Sequence, residues 1–388
     1  MSRSRRRAAL ATAVAVAVAV TVPVHADDAE TAADLVVRVG TLRVGDGAVL
    51  HDAVIVVRDG RFASVTEGGK TPQGVPLRTF ADAVACPGFV DPVTQLGLDG
   101  GAVESPEALT PDVRAADAFD PRHRDLLRAV RGGITTIGLV PAAGNVSCGR
   151  AAVARIAADG RGNVLPARAP QTFAFISPAL GTNRVPATLA GARRMLAEAF
   201  AGRPWRTPGE SDPPVRQDAL QTLAALRDEP VFAWVDDAQS AGVAAEVLRA
   251  RGLEPVLLGL RRGGGEAREI SRLVVPCVVT GLSLEDDLRL LDLPGELEGD
   301  VLISGGGSPR ALRMALSLAV ARGLAPERAL EAVTSRPARA LGAAGAVGRV
   351  AKGLHADLVV WSGEPWELTS RPLLVLSGGR VAREAAGR

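Results

Sequence analysis

Between residues 85 and 345 the sequence keeps changing period: short apolar runs suited to strands alternate with longer stretches of helical spacing. Strand-type runs lie at Ala85–Val90, Thr135–Val140, Thr172–Ile176, Val231–Val235, Pro255–Leu260, Val274–Val279 and Val301–Ile303. Helical stretches lie at Pro121–Arg131, Pro186–Ala201, Gln217–Arg227, Ala238–Arg251, Ser308–Arg322 and Pro326–Leu341. Pro121, Pro186 and Pro326 stand near helix starts, where a missing N–H costs little; Gly252 and Gly323 stand where a helix end favours a left-handed residue. Seven strands are plain, and an eighth is placed within Ala151–Val164. Such repetition predicts an α/β fold, a (β/α)8 TIM-like barrel. A doubly wound open sheet is the alternative, because periodicity does not show closure. In a barrel, the chemistry belongs at the C-terminal ends of the strands.

The flanks have a different pattern. Leu35–Leu42 and Ala53–Val57 are β-rich, and Asp59-Gly60 marks a tight hairpin turn. Ala356–Trp361, Leu373–Ser377 and Arg380–Ala382 are strand candidates at the other end. They predict a small β-sandwich built from both chain termini, residues 34–84 with 346–388, beside a barrel of residues 85–345. Residues 1–26 read as an export signal: Arg3, Arg5, Arg6 and Arg7 precede an Ala/Val run from Ala8 to Val24, which leads to the small-residue site Val24-His25-Ala26. The expectation is an exported protein, periplasmic or extracellular, with no membrane span once the signal is removed.

Charge and aromatic content exclude several partners. Without the four leader arginines the chain carries 41 basic and 43 acidic residues, so no nucleic-acid footprint remains. Tyr is absent and aromatics make up 3%, which argues against a surface that stacks bases or sugars. Cys86, Cys148 and Cys277 are too scattered for a disulfide framework or a CxxC metal site and read as buried thiols.

Several stretches in order along the chain carry a family likeness: Ala53–Arg61, Pro87–Asp91, Gly133–Thr136 with Val140–Val146, Thr334–Gly342 and Gly353–Trp361. Together they resemble the amidohydrolase superfamily, in its imidazolonepropionase-like branch. The resemblance implies metal ligands: a His-x-His pair after the first strand, a His after each of two later strands, and an Asp at the end of the last. Here Val93 and Gln95 occupy the first pair, Trp234 stands at the next position, no His follows Leu257-Leu258-Gly259, and Ser304-Gly305 end the last strand. Of four histidines only His123 falls in the barrel segment, where it is expected on the surface. One imidazole cannot make a His-rich zinc site. The expectation is therefore no metal, no cofactor and no catalytic residue of the family type, with Val93, Gln95, Trp234, Ser304 and Gly305 lining a pocket instead.

Other chemistries are weaker. Asp91, Asp99, Glu104 and the pair Asp236-Asp237 could supply oxygen ligands, but capping of the helix near Ala238 and ordering of a strand end explain the placed ones better. No G-x-S-x-G elbow is present, and Cys277 sits in an apolar run. The run Ser304-Gly305-Gly306-Gly307-Ser308-Pro309-Arg310 joins a strand to a helix. There Gly306, Gly307 and Ser308 read either as an anion-binding turn for a small anionic ligand or as a plain turn with Ser308 as cap and Pro309 at the first helical position. The functional expectation is an exported, metal-free amidohydrolase relative that binds a small molecule or serves as partner to an active relative or to a second copy. The alternative is an active hydrolase of C–N bonds in cyclic amides or peptide-like substrates, with a non-standard site.

Overall fold

Strands from both ends of the chain meet in one sheet. β1 (Leu35–Arg43), β2 (Val49–Arg58), β3 (Arg61–Glu67) and β4 (Leu77–Pro87) join β15 (Leu358–Trp361), β16 (Pro372–Ser377) and β17 (Arg380–Glu384) in the order β17-β16-β15-β4-β1-β2-β3. The seam is the antiparallel pair β4–β15, with Cys86 opposite Val359. Asp59 and Gly60 both take positive φ, 48° and 72°, which gives the β2–β3 turn the twist a two-residue hairpin requires. The strands expected to form the small terminal β domain thus join in one seven-stranded sheet, and residues of β1, β2, β3, β4, β15 and β16 share one apolar core. The computed structural model describes residues 34–100, 104, 107–181, 183–205, 216–259, 269–280 and 300–385; the export-signal reading of residues 1–26 lies outside them.

The middle of the chain makes two further sheets. β5 (Phe89–Thr94), β6 (Ile134–Leu139), β8 (Ala152–Ile156) and β9 (Gly162–Val164) form one, and β7 (Ser147–Arg150) with β10 (Gln171–Ala174), β11 (Pro230–Trp234), β12 (Glu254–Leu258), β13 (Cys277–Thr280) and β14 (Val301–Ser304) form the other. β5 runs parallel to β6, and β10 to β14 run parallel in succession. Six of the seven expected strands are present near their expected places; the first, expected at Ala85–Val90, is divided between the end of β4 in the terminal sheet and the start of β5, because Pro87-Gly88 separates the two strands. The eighth, placed in Ala151–Val164, is corrected: that segment holds the antiparallel strands β8 and β9, with β8 on β6. β14 and β5 share no ladder, but Ile303 N–H donates to Ala332 O and Val90 N–H to Val333 O, so one short segment ties both strands.

Strand residues alternate between two apolar clusters. Val231, Ala233, Leu257, Val279 and Ile303 pack outward with helical side chains, while Phe232, Val256, Leu258, Val278 and Leu302 pack inward with Val90 and Val153. A sheet covered on both faces needs such near-continuous apolar runs. The helices are α1 (Arg124–Arg131), α2 (Leu189–Phe200), α3 (Gln217–Ala225), α4 (Ala238–Arg249), α5 (Pro309–Ala321), α6 (Pro326–Glu331) and α7 (Ser335–Ala340). The single helix expected over Pro326–Leu341 is two, α6 and α7. Pro337 lacks an N–H and its ring would strike the carbonyl four residues back, so the ladder cannot run through Val333.

Candidate functional site

The ends of the first and last parallel strands close on a buried carboxylate. Asp91, in the middle of the wholly buried β5, has no exposed surface. Its Oδ1 lies 2.5 Å from Ser304 Oγ at the end of β14. Its Oδ2 accepts from the amides of Gly305 at 3.1 Å and Gly307 at 2.8 Å. Ser304 Oγ also lies 2.8 Å from the Val93 carbonyl and accepts from Gly306 N–H at 3.3 Å. The loop needs glycine here: a Cβ on Gly305 would fall 2.6 Å from Leu312 N and Ser308 O, and Gly306 and Gly307 have φ of 61° and 88°.

Burial pushes the Asp91 carboxyl up to about 6, against the opposing pull of Ser304 and the glycine amides. Proton counting points the same way. Ser304 carries one hydroxyl proton yet sits within bonding distance of two acceptors, Asp91 Oδ1 and Val93 O. Both are served when Oδ1 is protonated and donates to Ser304, which then donates to the Val93 carbonyl. A carboxyl that titrates near neutrality at the strand ends is the kind of group on which acid–base chemistry depends.

The other predicted positions do not converge on one centre. Val93 is buried in the inner apolar cluster, while Gln95 is exposed. Trp234 is half-buried, packs beside Cys148 and Ala174, and donates from Nε1 to Pro141 O at 3.1 Å. Gly259, with φ of 82°, leaves room for that ring: an added Cβ would lie 3.1 Å from Trp234 Cε3. The structure thus joins Val93, Ser304 and Gly305 through Asp91, packs Trp234 against the inner apolar cluster that holds Val93 but outside the hydrogen-bonded network, and turns Gln95 to solvent. The donors of the proposed anion turn have internal partners: Gly306 N–H goes to Ser304, Gly307 N–H to Asp91 and Ser308 N–H to Gly305 O. An anion held by those three amides is corrected accordingly; the protein's own carboxylate fills that role. Ser308 caps α5 by accepting from Ala311 N, with Pro309 next to it, as the plain-turn reading expects.

The remaining candidates have local roles. Asp237 caps α4 in a reciprocal box with Ser240, and Asp236 Oδ1 accepts from the same hydroxyl. His123, expected on the surface, is instead the half-buried cap of α1: Nδ1 accepts from Asp125 N and Nε2 lies 3.0 Å from Asp99. Glu104 contributes its carbonyl to Asn145 Nδ2. The three thiols are buried, and burial raises each to about 12, so none is a nucleophile at neutral pH. The residue whose importance the sequence reading underrated is Asp91. An acid inside Phe89-Val90-Asp91-Pro92-Val93, with apolar residues on both sides, must find buried partners, and that signal was available.

With this geometry in place, relatives can be compared. The Amidohydrolase family model matches residues 296–382. An imidazolonepropionase from Chromobacterium violaceum is 41% identical over 104 residues, 26% of this chain and 25% of that protein, so the match spans about a quarter of its length. The crystal structure of an amidohydrolase from Thermotoga maritima MSB8 superposes with a TM-score of 0.74 at 21% identity, covering 90% of this chain and 100% of the other. A molinate hydrolase gives 0.54 at 12% identity, covering 90% and 95%. The fold is a TIM-barrel-like α/β fold. Over its last quarter the chain is similar to the amidohydrolase family, and its likeness in sequence is to an imidazolonepropionase.

The superfamily implies a metal, and the residues at its positions do not fit one. They offer a hydrocarbon side chain, an amide turned to solvent, an indole committed to a carbonyl, a hydroxyl committed to Asp91, and a glycine. Among the described residues no group of three or more His, Cys, Asp or Glu side chains comes together. Catalytic zinc needs about three such donors around an open position. Among the described residues no helix is long and apolar enough to cross a membrane.

Proposed function

We propose that this protein is an exported amidohydrolase relative that has exchanged the metal centre for an internal hydrogen-bonded plug. In this reading it works as a small-molecule-binding protein or as the partner of an active relative or of a second copy. The two central sheets are taken as one closed barrel, with β14 and β5 joined at the plug. The observation that carries the reading is the coordination of Asp91: Ser304 and the Gly305 and Gly307 amides use the carboxylate oxygens that would otherwise face the strand ends. Metal analysis of the purified full chain, after exposure to zinc and dialysis, tests it. The expected content is well under one zinc per chain; stoichiometric, tightly held zinc defeats the proposal.

One observation favours a second reading, an active hydrolase of C–N bonds in cyclic amides or peptide-like substrates. Asp91 is held near neutrality, as a general acid or base would be. Turnover of an N-acyl dipeptide or hydantoin by the zinc-free protein, abolished in Asp91→Asn, would establish it.

A further inference from the structure

A cleft of about 890 Å³ opens beside α1 and the start of α5, and its charge is one-sided. Arg124, Arg128 and Arg131 of α1, Arg310 of α5 and Arg383 of β17 line it, against one carboxylate, Asp125. The α1 arginines recur at i, i+4 and i+7, the spacing that puts side chains on one helix face. Asp125 pairs with Arg128. Among the described residues, Arg124, Arg131, Arg310 and Arg383 have no ion-pair partner, although Arg43, Arg155, Arg216 and Arg336 elsewhere all do. All five cleft arginines are exposed.

Folding alone does not explain this grouping. Like charges gathered in one recess repel, and Arg310 lies in the first turn of α5, where a helix disfavours a cation. The chain beyond residue 26 carries slightly more acidic than basic residues, so the patch opposes the overall sign. Guanidinium groups offer paired N–H donors that match phosphate and carboxylate oxygens. Leu96, Leu127 and Pro309 add apolar lining.

We infer that this cleft binds a small multivalent oxyanion, an organic molecule carrying two or more phosphate or carboxylate groups. Guanidinium side chains from three elements provide the recognition, since the neighbouring Gly305 and Gly307 amides are occupied by Asp91. Gly306, Gly307 and Ser308 of the plug loop also line the cleft, but their amides are committed within the protein, and Val93, Trp234 and Ser304 do not line it, so the recognition rests on the arginines and not on the strand ends.

Calorimetric titration of the full chain with inorganic tripolyphosphate and with citrate, at low and at physiological salt, tests the assignment. A cleft pair, Arg128→Gln with Arg310→Gln, is compared with a control pair, Arg161→Gln with Arg203→Gln, after circular dichroism has shown both folded. The expected result is saturable binding of at least one oxyanion, weakened about tenfold or more in the cleft pair, little changed in the control pair, and reduced by salt. Whichever of the two probes binds names the oxyanion group. No binding of either probe, or equal loss in both pairs, overturns the inference. So does binding only to phosphatidylglycerol vesicles and to neither soluble probe, which would make the patch a membrane contact.

Discussion

Asp91 has one oxygen shared with a hydroxyl and the other with two amides, in a place no water reaches. Its carboxyl is raised from 3.8 to about 6, so the native state keeps a proton that the unfolded chain gives up earlier. The stabilising effect of that proton is fully present below about pH 4 and disappears as pH rises through about 6. Two units correspond to on the order of 3 kcal/mol. Asp91→Asn carries an amide that can donate to Ser304 and accept from both glycines, so it mimics the protonated form at every pH. Urea unfolding of both proteins from pH 4 to pH 8 should show the wild type losing ground to the Asn variant across that range. Parallel curves would mean that Asp91 does not titrate there. Asp91→Ala, which strands the Gly305 and Gly307 amides, should cost about 2–4 kcal/mol at pH 4 and less toward pH 8, where the wild type has lost the contribution of its own proton.

At the scale of elements, β11 and the end of β12 are fitted to each other through Trp234 and Gly259. Gly259→Ala puts a Cβ against the indole and at φ of 82°, and should destabilise by about 1–3 kcal/mol. In a Trp234→Ala background the ring contact is gone, and the backbone strain and the 3.1 Å approach to the Val235 carbonyl remain. The penalty should shrink, a coupling that denaturant titration of the two single variants and the double variant measures directly. The next element begins with Asp237, and Asp237→Ala should cost about 1 kcal/mol of thermal stability through loss of the α4 cap. These elements were legible to different degrees. Runs such as Val231–Val235 and Val301–Ile303 announced strands, because a layer covered on both faces requires unbroken apolar sequence. Asp237 announced a cap, because a short acceptor before a helical period has little else to do. The direction of β8 was not legible, since residue pattern does not record polarity. The Asp91 plug was hidden for another reason: its partners are 213 to 216 residues away, and two of them are backbone amides, which every sequence contains.

For the molecule as a whole, the central strands and the terminal sheet are bonded through a nearly buried ion pair. Arg155 on β8 reaches both oxygens of Asp357 at 3.0 Å, and Asp357 also accepts from the Gly378 amide at 2.7 Å. Arg155→Ala leaves a buried carboxylate short of its counter-charge and should cost about 3–5 kcal/mol. Replacing Arg155 and Asp357 together by apolar residues should cost less than the single change, and chemical denaturation of both variants decides this. The seam between β4 and β15 has a further consequence. Because β15 covers one side of β4 and everything after residue 357 builds outward from it, a chain cut off earlier ends with an open ladder flanked by Ala83, Ala85 and Cys86. A product truncated there would thus present a sticky margin to its neighbours and to proteases.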